Sequence, residues 1–280
     1  YILLLTEAAY VKRTPLAAFA SPPSRGLKII NLTPGDRLRW VARCSTGDSV
    51  IVASAGGLGI RFAIDEKQLR PSGRTSRGVR AMKLRPGDRV VDVDVLPAGV
   101  NDAYTYLLAV TSSGYGKRLR ASEFRLQARG GIGLKILKFR EAKPATKGRG
   151  RKKAEPAIDV AAVDDDGSGG ADSDDSSEED PPSSGEESAH APGAPSLVAL
   201  RSVEADAEVM LITRRGTLVR QAADQIALQS RTATGVRVQR LAVDDDVVTV
   251  TSLPVALASE EPDGSDLADF VDSDAEEGEE

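Results

Sequence analysis

The chain has 280 residues, 40% of them apolar and 4% aromatic, with a formal charge of −5, enough for one large domain or two small ones. Its acids are unevenly placed: eleven lie in 164–187 and eleven in 260–280, stretches without Lys or Arg, and setting those twenty-two aside turns −5 into +17. One cysteine, Cys44, and one histidine, His190 in a Pro/Ser-rich acidic tract, exclude an internal disulfide framework and a His/Cys metal cluster and leave no basis for histidine catalysis.

The chain opens inside an apolar run, ILLLT (2–6), with no initiator Met or targeting pattern, and reads as a fragment. No apolar stretch approaches the ~18 residues of a membrane span. The opening run recurs as VIVAS (50–54), LLAVT (107–111) and VMLIT (209–213), and seven residues after each terminal Thr or Ser stands an arginine: Arg13, Arg61, Arg118 and Arg220. Each repeat then carries a glycine followed by an apolar residue (Gly26-Leu27, Gly78-Val79, Gly133-Leu134, Gly235-Val236), and six residues past that glycine comes Leu32, Leu84, Phe139 or Leu241. The first two repeats share Pro-Gly-Asp-Arg at 34–37 and 86–89, a turn signal ahead of another apolar run.

Short Val/Ile/Leu runs bounded by Gly, Pro and Asp predict strands, four to a repeat; in the second they fall at about 49–54, 58–63, 79–84 and 89–95. Helical periodicity is weak, and ASEF (121–124) and AADQIA (222–227) predict a turn or two at most. Start-to-start spacings of 48, 57 and 102 residues include one long interval, which holds a low-complexity tract over 141–195. SLVALRSV (196–203) reads as the delayed fourth strand of the third repeat, so the tract interrupts a single unit. Its KGRGRKKAEP (147–156) is basic and its 164–188 stretch acidic; neither half, nor the tail at 258–280, has the apolar content to offset ordering entropy, and disorder is expected for all. Ordered segments 1–140 and 196–257 thus form one all-β, propeller-like array of four four-stranded blades.

The positive charge recurs at fixed places. One set follows the first turn of each repeat: Lys12, Arg13, Arg61, Lys117, Arg118 with Arg120, and Arg220. A second flanks the glycine loop: Arg25; Arg70, Arg74, Arg77 and Arg80; Arg125, Arg129 and Lys135; Arg231 and Arg237. In a radial array equivalent positions return to equivalent edges, so both sets are expected to line the outer rim as one positive belt for duplex DNA, with ordinary solubilising charge as the alternative for any single residue. The few aromatics do not interleave with the basic loops in sequence, against a base-stacking reader of single strands. Gly130, Gly131 and Gly133 lack the Gly-Lys-Ser/Thr of a nucleotide cradle and suit positive φ and close backbone approach instead.

GYGKR (114–118) before ASEF, GTLVR (216–220) before SRTATGV (230–236), TP-L-AAF and GDRLRWV in the first repeat, and QLRPSGRTSRGVRAMKLRPGD (68–88) resemble the C-terminal β-pinwheel domain of the DNA gyrase A protein, the last stretch most like its cyanobacterial and plastid branch. The resemblance covers nearly all but 141–195 and the acidic tail. It implies six blades, of which these four correspond to the third to sixth, and a perimeter that wraps double-stranded DNA in support of ATP-driven negative supercoiling by a type IIA topoisomerase. It also implies the gyrase B protein and a second gyrase A protein as partners through regions absent here. ATP and Mg2+ belong to the holoenzyme, with no cofactor or catalytic residue in this chain. The compartment implied is a plastid or mitochondrion, otherwise a bacterial cytoplasm. The family's supercoiling loop, Gln-Arg-Arg-Gly-Gly-x-Gly, belongs to the first blade; Gln127-Ala128-Arg129-Gly130-Gly131-Ile132-Gly133 approaches it with Ala at the second position, as a degenerate copy. A topoisomerase IV-type domain and a protein-interaction propeller are the competing readings.

Overall fold

The computed structural model describes residues 1–140 and 194–253, which fall in one compact unit. Regular structure is all β apart from single 3-10 turns at Leu16–Phe19, Ala121–Glu123 and Ala223–Gln225, so the two helical stretches suspected in the sequence amount to a turn each. No helix among the described residues is long and apolar enough to cross a membrane. The disorder expected for 141–195 and 258–280 falls outside the described residues, except at 194 and 195.

Each repeat starts with a hairpin and closes with a long strand on the hairpin's first edge. In the first repeat these are β1 (Ile2–Thr6), β2 (Tyr10–Thr14) and β3 (Leu38–Arg43). In the second they are β4 (Ser49–Ser54), β5 (Leu58–Ala63) and β7 (Val90–Leu96), with the two-residue β6 (Val79–Arg80) between. The third repeat has β8 (Tyr106–Thr111), β9 (Tyr115–Arg120), β10 (Leu134–Lys135) and, beyond the tract, β11 (Leu197–Val203). Pairing of β11 with β8 from Leu197↔Thr111 to Val203↔Tyr106 completes the interrupted unit. The fourth has β12 (Glu208–Thr213), β13 (Leu218–Ala222), β14 (Val236–Arg237) and β15 (Val247–Leu253).

The sheets do not coincide with the repeats. Their orders are β3-β1-β2-β6, β7-β4-β5-β10, β11-β8-β9-β14 and β15-β12-β13. The short third strand of every later repeat therefore lies on the outer edge of the preceding sheet, and the fourth sheet has three strands among the described residues. Within the second repeat the expected strand over 79–84 stops at Arg80, because Ala81 and Met82 turn inward and are fully buried.

Side-chain alternation explains the unbroken apolar runs. Val50 and Val52 of β4 pack with Leu3, Leu5 and Val11 of the first sheet, while Ile51 and Ala53 pack with Leu107, Ala109 and Leu119 of the third. In the same way Leu108 and Val110 of β8 turn toward Val209 and Leu211 of β12. A strand covered on both faces has no solvent side to make polar, whereas β12 of the fourth sheet shows alternating burial along its length. Each buried Val, Leu or Ile side chain among them contributes about 1.5–3 kcal/mol. The recurrent Thr closes the hairpin: the hydroxyls of Thr6, Thr111 and Thr213 accept from the amides of Tyr10, Tyr115 and Thr217 at 3.1–3.2 Å. The Asp of the shared turn does the same from the other side, with Asp36 accepting from the Ala8 amide and Asp88 from that of Gly56, both at 2.9 Å.

Candidate nucleic-acid interface

The first basic column faces inward. Lys12, Arg13, Arg61 and Lys117 are 1%, 0%, 7% and 0% exposed, which corrects the expectation that they line the rim. A buried cation needs acceptors, and here most come from the next repeat, with Ser49 beside Arg61 and Ile29 beside Lys12 supplied by their own. Arg13 donates to the Leu69 carbonyl, to Thr46 at 2.8 Å and to Glu66 at 2.7 Å. Arg61 grips Asp102 with both terminal nitrogens, at 2.6 and 2.9 Å, and reaches the Ala121 carbonyl at 3.3 Å. Arg118, half-buried, donates to the carbonyls of Ile226 at 2.8 Å and Asp224 at 2.9 Å. The arginine column is thus a set of latches between successive sheets, reinforced by parallel bridges Arg13↔Pro71, Arg61↔Leu126 and Arg118↔Leu228. Arg220 is exposed and pairs with Glu208.

The lysines of the column hold the glycine loops. Lys117 Nζ donates to the carbonyls of Ser230, Arg231 and Ala233 at 2.6–3.1 Å, and Lys12 Nζ to those of Ile29, Gly73, Arg74 and Ser76 at 2.7–3.2 Å. Burial lowers both ammonium pKa values, that of Lys117 to about 8, with the nearby Glu123 charge opposing the shift. After each loop the glycine takes φ of +91° at Gly78, +89° at Gly133 and +93° at Gly235, and presses on the preceding sheet: a Cβ there would sit 2.5 Å from the Val11 carbonyl oxygen, 2.6 Å from that of Gly59 and 2.7 Å from that of Gly116.

The second basic set lies on this outer edge. Arg25, Arg70, Arg74, Arg77, Arg80, Arg125, Lys135 and Arg237 are exposed, while Arg129 and Arg231 are half-buried; Arg120 of the first set is exposed as well and donates to the Ala103 carbonyl at 3.0 Å. Arg80, Lys135 and Arg237 occupy the same place on the outermost strands β6, β10 and β14. Adjacent loops touch: an Arg129 terminal nitrogen donates to the Arg80 carbonyl and one of Arg231 to the Lys135 carbonyl, both at 3.4 Å. A track of cations therefore crosses three successive sheet edges, from Arg74, Arg77 and Arg80 through Arg129 and Lys135 to Arg231 and Arg237. Among the described residues no ion pair involves any of these seven. The opening lined by Glu7, Arg39, Arg89, Arg214 and Asp246 is different in character, its arginines meeting acids in Arg89–Glu7 and Arg214–Asp246.

The loop resembling the supercoiling motif belongs to the track by position but is fastened from within. Gln127 N–H donates to the Arg61 carbonyl at 2.8 Å, Gly130 N–H to that of Ala81 at 2.7 Å, and Lys83 N–H to that of Gly131 at 2.8 Å. Arg129 donates to the Gln68 carbonyl through Nε and to its side chain through its own amide. Its guanidinium is thereby tied to the main chain, whereas among the described residues no hydrogen bond holds that of Arg125.

Two aromatic residues that sequence reasoning set apart from the basic loops lie among them. Arg77 stacks over Tyr10 at 5.0 Å, and Arg140 and Arg237 flank Tyr115 at 5.2 and 5.5 Å. Arg237 also donates to the Tyr115 hydroxyl at 3.0 Å, which lowers the phenol pKa. The usable signal was a tyrosine four residues after the hairpin Thr in the first and third repeats. Cys44 sits in the first core cluster, its thiol pKa raised by burial.

The family model for the DNA gyrase C-terminal domain, beta-propeller, matches residues 1–45, 48–97, 105–142 and 207–254, one stretch per repeat. This chain belongs to the DNA gyrase A C-terminal domain family. It is 34% identical to the DNA gyrase A protein of Synechocystis over 91% of this chain and 27% of that protein. It is 29% identical to the probable chloroplastic/mitochondrial DNA gyrase A protein of Oryza sativa over 94% of this chain and 24% of that one. The chain thus spans about a quarter of these relatives' length. Among solved structures, a gyrase A C-terminal domain superposes with a TM-score of 0.62 at 24% identity, covering 91% of this chain and 66% of that one. The C-terminal domain of topoisomerase IV gives 0.66 at 17%, covering 90% and 61%. Both likenesses concern the fold.

Proposed function

We propose that this gyrase A-family chain is the duplex-DNA-binding and DNA-wrapping module of a type IIA topoisomerase, supporting ATP-dependent negative supercoiling by the whole enzyme. The observation that carries the reading is the cation track across the edges of three successive sheets, free of ion pairs among the described residues. A straight duplex touches a curved edge at one point, so contact with every segment requires bending. With a persistence length of ~50 nm, bending 20–30 bp by 40–90° costs roughly 1–6 kcal/mol. Repeated phosphate contacts offset that cost, and each adds about 0.9 to the log–log salt slope.

On this reading breakage and rejoining of DNA, ATP and Mg2+ belong to the rest of the enzyme, with the gyrase B protein and a second gyrase A protein as partners through regions outside this chain. The 34% identity to a gyrase A over nine-tenths of the chain favours gyrase over a topoisomerase IV-type module. The compartment proposed is a plastid or mitochondrion, following the rice relative, or a bacterial cytoplasm.

The test titrates the chain with duplexes of increasing length at several salt concentrations and ligates nicked circles in its presence. Wrapping gives affinity that rises with length, a steep salt slope and a shifted linking number. Affinity independent of length and salt would leave a protein-interaction propeller as the better reading.

A further inference from the structure

Lys12 and Lys117 belong to the column that sequence reasoning assigned to DNA, yet neither side chain reaches solvent. Both end in a cluster of main-chain carbonyls contributed largely by a single turn on the sheet edge, with four acceptors for Lys12 and three for Lys117. The turns are equivalent and belong to the next repeat: Gly73-Arg74-Thr75-Ser76, closed by Ser76 N–H to the Gly73 carbonyl at 3.2 Å, and Ser230-Arg231-Thr232-Ala233, closed by Ala233 N–H to the Ser230 carbonyl at 3.1 Å. Converging carbonyl oxygens repel one another, and an ammonium at their focus offsets that repulsion. An arginine occupies the second position of each turn. Arg74 is exposed and donates through one terminal nitrogen to the Ala18 carbonyl at 3.2 Å, and Arg231 donates likewise to the Lys135 carbonyl at 3.4 Å.

The second repeat supplies the contrast. Ile60 stands at the same place, and the loop over it packs Gly131 against the Ile60 side chain, 3.5 Å from where a Cβ would lie. With no ammonium beneath, that loop is held by its own Arg129 through Gln68 and Arg80. The arginine of a turn pinned from below keeps a single terminal-nitrogen contact, whereas that of the turn without the pin is also committed through Nε to the Gln68 carbonyl.

Resting on the DNA-wrapping reading, we infer that Lys12 and Lys117 are positioning residues. They act on DNA through Arg74 and Arg231 by fixing the turns that present them, and they touch no phosphate themselves. The occupant of the track is duplex phosphate, and the two lysines set which arginines can meet it.

A double-mutant cycle in the 280-residue chain tests this, with Lys117→Met, Arg231→Ala and their combination titrated against a long linear duplex. Hydrogen exchange is followed at 230–235. Each single variant is expected to weaken binding about tenfold, the loss of one charge-assisted phosphate contact. The double variant should bind no more weakly than the worse single one, and exchange at 230–235 should rise in Lys117→Met while the first sheet is unchanged. Multiplying losses in the double variant, or unaltered DNA affinity with only a lowered melting temperature, overturns the inference. Lys117→Gln, which keeps a donor, and the parallel Lys12/Arg74 pair give the same readouts if Met at 117 prevents folding. Failure of the unsubstituted chain to bind duplex removes the wrapping reading itself; binding with an additive cycle removes this inference alone.

Discussion

Substituting alanine for Gly78 and for Gly26 separates backbone strain from close approach, because the two glycines share a conformation and differ in surroundings. Their φ values are +91° and +85°; a Cβ on Gly78 would lie 2.5 Å from the Val11 carbonyl oxygen and 3.1 Å from the Lys12 Cβ, whereas one on Gly26 meets nothing within 4 Å. The left-handed conformation alone costs an L-residue about 1–2 kcal/mol, so Gly26→Ala should destabilise by about that amount. At Gly78 the methyl must also push β6 away from β2, an overpacking cost of about 1–3 kcal/mol more. Summed, Gly78→Ala should lose about 2–5 kcal/mol. For a domain of this size each kcal/mol corresponds to about 2–4 °C in melting temperature. Urea and thermal unfolding followed by far-UV circular dichroism provide the comparison. Equal losses for the two variants would refute the argument that contact with the preceding sheet, rather than φ, makes this glycine column indispensable.

Asp92, 2% exposed, accepts from the Leu200 amide and pairs with Arg201, and burial pushes its carboxyl up to about 6 despite those partners. The raised value means that folding takes up a proton between the ordinary carboxylate range and about pH 6, so this group makes stability fall as pH rises through that window. Asp92→Asn should remove about 2–3 kcal/mol of that dependence, read as the difference between the two chains' urea stabilities at about pH 4 and about pH 7.5. Arg61→Lys loses the two-pronged grip on Asp102 and should cost about 1–3 kcal/mol, while Arg80→Lys on the exposed edge should stay within about 0.5 kcal/mol; comparable melting shifts would deny the latch its role. Replacing Arg80, Lys135 and Arg237 together with Ala should lower the log–log salt slope of duplex binding by about 2.7 with little change in melting temperature, and an unchanged slope would place the phosphate path elsewhere.

The repeat was legible because each column is a physical fixture: Thr6, Thr111 and Thr213 close hairpins, Gly78, Gly133 and Gly235 admit a neighbouring strand, and Leu84, Phe139 and Leu241 pack onto the cores. Exposure of the cations was not legible. A lysine beside an arginine in a short strand looks solvent-facing until its acceptors are known, and those of Lys117 lie 113–116 residues away. Nor does composition reveal which sheet receives a two-residue strand such as Val236–Arg237, since alternation over two positions carries no face. The carboxylates of Asp92 and Asp94, which accept from the Leu200 and Ser202 amides, were hidden in the same way, their partners lying 108 residues on beyond the tract.

Strand lending of this kind decouples genetic units from mechanical ones. A tandem duplication copied in register with the repeat delivers one vacancy and one filler, so the array can lengthen or shorten by whole repeats without stranding an unmatched edge in its middle. A cut placed to respect sheets instead would sever β6 from the Gly78 turn that seats it. Any excision or transplant of a single blade must therefore carry along the repeat that follows as far as its short third strand.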